Sequence, residues 1–172
     1  LLVVSFDADG IGILSATSSA VYTFYFFHSS KYSYQIGGAI GDAMPFSINN
    51  SNSSDRAVRG TIMVDDSANL ESSGNSTGRQ LGAVSASQSL FVAAHVVSVS
   101  GTSTPTLSLK VQSDDNSSFT SATDQITLTD FTAIGAQYSK LAGAITDDYF
   151  RINYTISGTN PSFKCFITVG VV

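Results

Sequence analysis

The side chains able to do chemistry are few and scattered. Two histidines, His28 and His95, lie far apart in the chain, and no G-x-S-x-G elbow presents a serine to either of them. A Ser-His-Asp nucleophile therefore has no scaffold here. His95 sits inside an apolar run, where a hydrogen-bonded core histidine is the better reading than a catalytic one. Carboxylates come as adjacent pairs, Asp65-Asp66, Asp114-Asp115 and Asp147-Asp148. Adjacent strand residues point to opposite faces, and each pair flanks a turn, so turn capping is expected rather than shared acid-base work across a cleft. A surface calcium site built from Asp114, Asp115 and Asp148 is the weaker alternative. Asp7 and Asp9 with Gly10 suggest the start of a calcium loop, but no glutamate follows where the bidentate ligand belongs.

Other motifs dissolve in the same way. The segment IGGAIGD (residues 36–42) lacks the Lys-Ser/Thr ending of a phosphate-cradling loop, and no amphipathic helix follows it, so it reads as a glycine turn. Cys165 is the single cysteine, which excludes an internal disulfide, and it alternates in register with Phe163, Ile167, Val169 and Val171 as a small buried hydrophobe would. Sequons at Asn49, Asn52, Asn75, Asn116 and Asn153 are expected by chance in a chain this rich in Ser, Thr and Asn, and matter only in a eukaryotic secreted protein. No catalytic, cofactor-binding or metal-ligating residue is assigned. The chain is expected not to be an enzyme and to need no cofactor.

Composition narrows the class of function. The 172 residues carry 8 Lys and Arg against 13 Asp and Glu, a net charge of -5, with only 12% charged residues. Scattered basic residues and a negative balance argue against nucleic-acid binding, because nothing neutralises phosphates. A neutral surface of Ser, Thr, Gly and Asn instead suits repetitive packing against other chains. No run approaches the roughly eighteen apolar residues that cross a bilayer, so no membrane role is expected. The chain starts at Leu1 in what reads as the middle of a strand, without Met or a charged leader. No signal peptide is expected, and residues upstream are expected to be missing.

The elements that position these residues are strands. Residues 90–99, LFVAAHVVSV, are apolar on both faces and predict a strand covered on both sides, whereas residues 107–112 alternate strictly as a half-buried strand does. Gly101 to Pro105 between them is turn chemistry, so the two are expected to form a hairpin. Alternation also predicts strands over residues 125–131, 149–157 and 163–171, with turns at SDDNSS, IGAQ, TDD and SGTNP. In the first part, residues 1–6, 21–27, 44–48 and 57–64 read as short strands, Tyr32 and Tyr34 continue the aromatic signal, and DADGIG and residues 49–54 read as turns. The polar stretch DDSANLESSGNSTGR marks a domain boundary. The expected organisation is an all-β, antiparallel sandwich or barrel: a β domain over residues 1–66, a linker over 67–79 and a β-sandwich over 80–172, which the resemblance given below implies is immunoglobulin-like.

Two segments carry a resemblance. AHVVSVSGTSTPTLSLKVQSDDNSSF and RINYTISGTNPSFKCF resemble the hairpin and closing strand of an immunoglobulin-like module found in tailed-phage virion proteins, with Tyr154 where that module often has Trp. The likeness covers about the last ninety residues. VSFDADG, YSYQIGGAIGDAMPFSI and VRGTIMV look like the second half of the tube domain in the major tail proteins of long-tailed phages. Membership of that tail tube family implies a β domain that stacks in rings around the DNA channel, with the sandwich appended outside. It implies copies of the same chain and other virion proteins as partners, DNA passing without specific binding, and a place in the virion after assembly in the host cytoplasm. A mildly acidic subunit agrees with that passage. Two alternatives use the same sandwich: a capsid decoration or cement protein, and a carbohydrate-binding module with Tyr138, Tyr149 and Phe166 as its stacking platform.

Overall fold

A computed structural model describes residues 3–6, 11–15, 23–28, 31–36, 46–51 and 57–172. The described residues are strands and their connections, without a helix. In chain order the strands are β1 (Val3–Phe6), β2 (Ile11–Ser15), β3 (Thr23–His28), β4 (Lys31–Ile36), β5 (Phe46–Ser51) and β6 (Val58–Val64). They continue with β7 (Gly74–Asn75), β8 (Arg79–Gln80), β9 (Ser89–Asp114), β10 (Thr123–Thr127), β11 (Gly135–Ala142) and β12 (Tyr149–Val171). All pairings are antiparallel. One sheet runs β1-β2-β3-β6-β12-β9-β10, with β11 also on β9 and β7 and β8 on β12, while β4 and β5 pair only with each other among the described residues.

The frame is the pair β9 and β12, matched from Tyr149 opposite Asp114 to Val171 opposite Leu90. This corrects the expected hairpin: residues 90–99 and 107–112 do not pair with each other, and each instead pairs with one half of β12. The turn-rich segments SGTSTP and SGTNP do not reverse the chain. They lie against each other and bend both strands at one corner.

The geometry of that corner explains why turn residues sit within strands. Between the pairs Ser157/Thr106 and Thr159/Thr102, Ser103, Thr104 and Pro105 oppose Gly158 alone; between Thr159/Thr102 and Ser162/Ser100, Asn160 and Pro161 oppose Gly101. Each glycine therefore faces a bulge in the partner strand, and each bulge contains a proline, which needs no ladder partner for a missing N–H. Gly101 and Gly158 take φ of 124° and 116°, and Ser103, Thr104 and Asn160 take φ of 58°, 51° and 49°. Residues 97–104 and 157–160 are largely exposed, so the bend occurs outside the core.

Folding the ribbon at the corner brings the inner faces of its halves together. Leu90, Val92, Ala94 and Val96 with Phe163, Cys165, Ile167 and Val169 come from one half, and Leu107, Leu109, Val111, Phe150 and Ile152 from the other. All are buried in one cluster, completed by Ile126, Leu128 and Phe131 beyond the second half. This is the core of a β-sandwich. The sequence-predicted two-sided burial of the first half also holds for Leu90 to Val96, although Val97 emerges at 36% exposure. Phe91 and Ala93 face a second cluster with Ile11, Phe26, Val58 and Ile62. Tyr138 on β11 reaches Phe26 and His28 on β3, with ring centroids 6.2 and 5.5 Å apart, so the sheet curls until strands near its opposite ends meet.

Several strands differ from the sequence reading. β11 begins inside the expected turn IGAQ, because Gly135 is the first residue of an eight-residue ladder to β9. β2 begins at Ile11, inside the expected turn DADGIG, and β5 continues through Ser51, so residues 49–51 are strand and not a loop tip. Across the expected boundary, β6 pairs with Ile167 to Gly170 of β12, making one hydrogen-bonded sheet of strands from both sides of residues 67–79.

The corner yields a test of backbone strain against crowding. A Cβ on Gly101 would stand 2.8 Å from the Asn160 carbonyl oxygen and 3.0 Å from Pro105 Cγ, whereas one on Gly82, also at positive φ (84°), would meet nothing within 4 Å. Gly101→Ala is expected to cost about 2–4 kcal/mol and Gly82→Ala about 1 kcal/mol, read from urea midpoints. Equal losses would show that the corner is not sterically locked.

Candidate functional site

The fold sets His28 and His95 on different strands, β3 and β9, and gathers Asp114, Asp115 and Asp147 near one end of the β9–β12 pair. His95 is 2% exposed on β9, on the same face as Phe91 and Ala93, with Phe166 and Ala136 as its cross-strand neighbours. His28 is exposed on β3, beside Tyr138. Cys165 is fully buried in the sandwich core, and burial pushes its thiol up to about 12, far from reactive thiolate. Asp7, Asp9, Gly10 and most of IGGAIGD lie outside the described residues.

Several carboxylates accept hydrogen bonds from named donors. Asp65 accepts the Ser67 amide at 3.1 Å, Asp147 accepts the Ser113 hydroxyl at 2.6 Å and Asp148 accepts the Gln80 amide at 2.5 Å. Asp124 takes Lys110 at 2.5 Å and Gln112 at 2.7 Å, on the open face of the second half of the ribbon. Asp114 is the buried member, 2% exposed, and closes the turn after β9 by accepting the amides of Asn116 at 2.9 Å and Ser121 at 2.7 Å. That turn also holds Phe119 at φ 52°, with the Arg151 guanidinium 4.5 Å over its ring. A Cβ on Gly78 would strike the Phe119 ring at 2.4 Å, so the glycine makes room for the aromatic.

Asp114 and Asp115 are pushed in opposite directions. Burial alone would raise the Asp114 carboxyl, but the Ser121 and Asn116 amides, Asp115 and the Arg151 charge together hold it below its usual range. Asp115 is raised, first by its hydrogen bond with Asp114 and then by the charges of Asp114 and Asp147. Among the described residues, no three His, Cys, Asp or Glu side chains form a group able to hold a metal ion.

The aromatic platform considered for sugar stacking is divided. Tyr138 and Phe166 pack against the second core cluster, and Tyr149 stands opposite Asp114 at the far end of β12. What the structure does bring together is polar and interlocking. On the second half of the ribbon, Arg151 donates to Gln112 at 2.9 Å, Ser108 to Asp130 at 2.5 Å and Asn153 to Asn75 at 2.9 Å. Gln137 on β11 both donates to the Thr129 carbonyl at 2.7 Å and accepts the Thr129 amide at 2.9 Å, as a strand residue would. Sequence reasoning missed Gln137, and no periodic signal marks it.

Among the described residues, β1, β10, β11 and the pair β4–β5 have no further strand on their outer edges. No known protein family matches the chain, and no curated protein matches it either.

The acidic pair predicts a pH effect with a defined sign. A carboxyl raised by folding favours the folded state when protonated, and that contribution is lost as pH rises through its folded value. Asp115→Asn, neutral throughout, is expected to raise the urea midpoint at neutral pH and to lose that advantage below about pH 4. Asp114 works the other way: its depressed carboxyl stabilises the fold above the ordinary range, and the contribution is lost on acidification through its folded value. A midpoint for Asp115→Asn that is unchanged at neutral pH would remove the repulsion inferred among Asp114, Asp115 and Asp147.

Proposed function

We propose that this chain is a structural protein of a bacteriophage virion, the major tail tube subunit, which stacks in rings around the DNA channel and performs no catalysis. The observation that carries the reading is the hairpin β4–β5, which joins no other strand among the described residues. Two strands alone are marginally stable in water, and a neighbouring copy is a ready source of the missing strands. Among the described residues the ends of the main sheet carry no further strand, which supports the same reading, since unpaired strand edges invite pairing between chains. The resemblance of AHVVSVSGTSTPTLSLKVQSDDNSSF and RINYTISGTNPSFKCF to phage virion modules points to the same setting.

Charge agrees with a passive channel. A net charge of -5 and only 12% charged residues give DNA little to adhere to. No helix among the described residues is long and apolar enough to cross a membrane. The virion is the proposed location, reached after assembly in the host cytoplasm.

Negative-stain electron microscopy of the purified protein tests the reading. Tubes or stacked rings with an open lumen are the expected outcome. Monomers or trimers that bind only to empty capsids would overturn it in favour of a decoration protein.

A further inference from the structure

Residues 65–80 run along the edge of β12 that faces away from β9, and they hold it by an unusual set of bonds. Leu70 and Phe163 exchange backbone hydrogen bonds of 2.8 and 3.0 Å. Further along, serine side chains take the place of peptide groups. The Ser73 hydroxyl accepts the Ile156 amide at 2.8 Å and donates to the Ile156 carbonyl at 3.4 Å. The Ser76 hydroxyl accepts the Ile152 amide at 2.9 Å, and the Ser76 amide donates to the Ile152 carbonyl at 2.8 Å. Regular ladder is limited to the two-residue strands β7 and β8.

This strap is poorly anchored by apolar contact. Its sequence, DDSANLESSGNSTGRQ, has one large apolar residue, Leu70, which is itself only partly buried against the core. A groove of about 300 Å³ lies beside it, lined by Met63, Leu70 and Tyr154 among others. Few buried apolar contacts and short runs of backbone pairing are the conditions for opening below the global unfolding free energy. The strand edge beneath is the opposite: Phe150, Ile152 and Phe163 are buried to 1% exposure or less, and the whole of β12 is tied to β9.

We infer that residues 65–80 are an edge guard, a strap that opens as a unit while the β9–β12 ribbon stays folded and that, closed, denies the β12 edge to a strand from a second copy of the chain. The occupant excluded is a β-strand, because the bonds that the serines satisfy on Ile152 and Ile156 are those a paired strand would make. The guard steers self-association to other edges, and it holds whether or not the chain builds a tube.

Amide hydrogen exchange on the full chain tests the opening. The Ile152 and Ile156 amides are expected to exchange at least about tenfold faster than those of Leu107 and Leu128, which bond to Phe131 and Leu109 inside the sandwich. Equal rates in the unaltered protein would overturn the separate opening, and this comparison needs no variant. The double substitution Ser73→Ala, Ser76→Ala is expected to speed exchange at Ile152 and Ile156 by a further factor of about ten while leaving Leu107 and Leu128 unchanged. It is also expected to raise the associated fraction in sedimentation velocity, and Ser73→Thr, Ser76→Thr, which keeps both hydroxyls, to restore the original behaviour. Faster exchange without added association would sink the guarding role.

Discussion

Everything else in the fold hangs on the continuous pairing of β9 with β12 through a corner that neither strand could make alone. A long two-stranded ribbon has inner faces with nothing to cover them unless it folds, and it cannot fold where both strands are regular. Gly101 and Gly158, each set opposite a proline-containing bulge in the other strand, permit the bend without breaking the pairing. The two motifs, SGTSTP and SGTNP, are near-repeats that meet antiparallel, so the corner has an approximate two-fold relation built from similar residues. Because the halves become facing layers, most of the sandwich core comes from two strands.

The first half of the ribbon carries a second burden. Its outer face is buried as well, by Phe26, Val58 and Ile62, and this forces small residues where strands approach closely. Gly60 and Gly170 are paired across β6 and β12; a Cβ on Gly60 would lie 2.5 Å from the Phe26 ring, and one on Gly170 would lie 2.7 Å from Val58 Cγ1. Gly60 thus leaves room for the Phe26 ring, and Gly170 for Val58. β1, β2 and β3 join the rest of the sheet through β6, which pairs directly with the closing end of β12.

How much of this was legible follows from what each signal measures. Strict alternation locates buried faces, and it placed Leu107, Leu109, Val111, Phe150 and Ile152 in the core because each of those positions is decided by a single face. Continuous apolarity marked Leu90 to Val99 as covered on both sides, which holds for Leu90 to Val96 and fails from Val97 onward, where the chain enters the corner. Turn residues were misread for a physical reason: Gly, Ser, Thr, Asn and Pro provide positive φ and missing donors, which serve a bulged corner as well as a chain reversal. β11 escaped because its residues 135–139 are all partly buried, which produces no alternation to read. The dispersal of His28 and His95 into separate strands agrees with their separation in sequence, whereas the bonds of Ser73, Ser76 and Gln137 have no signature in a chain where such residues are everywhere.

Unpaired sheet edges present backbone groups that can join another chain, so a β protein's edges differ in whether they are covered. Among the described residues the edges fall into two kinds. Along β12 the outward N–H and C=O groups are met by serine hydroxyls and short bridges from residues 65–80, a cover of polar side chains over an apolar strand. At β1, β10, β11 and the pair β4–β5, no further strand follows among the described residues. Low charge makes this division more consequential, since few lysines or carboxylates stand on the surface to repel a stray strand, and specificity then has to come from which edges are covered. A surface of hydroxyls and amides can close one edge by mimicking a peptide group and leave another ready for a real one.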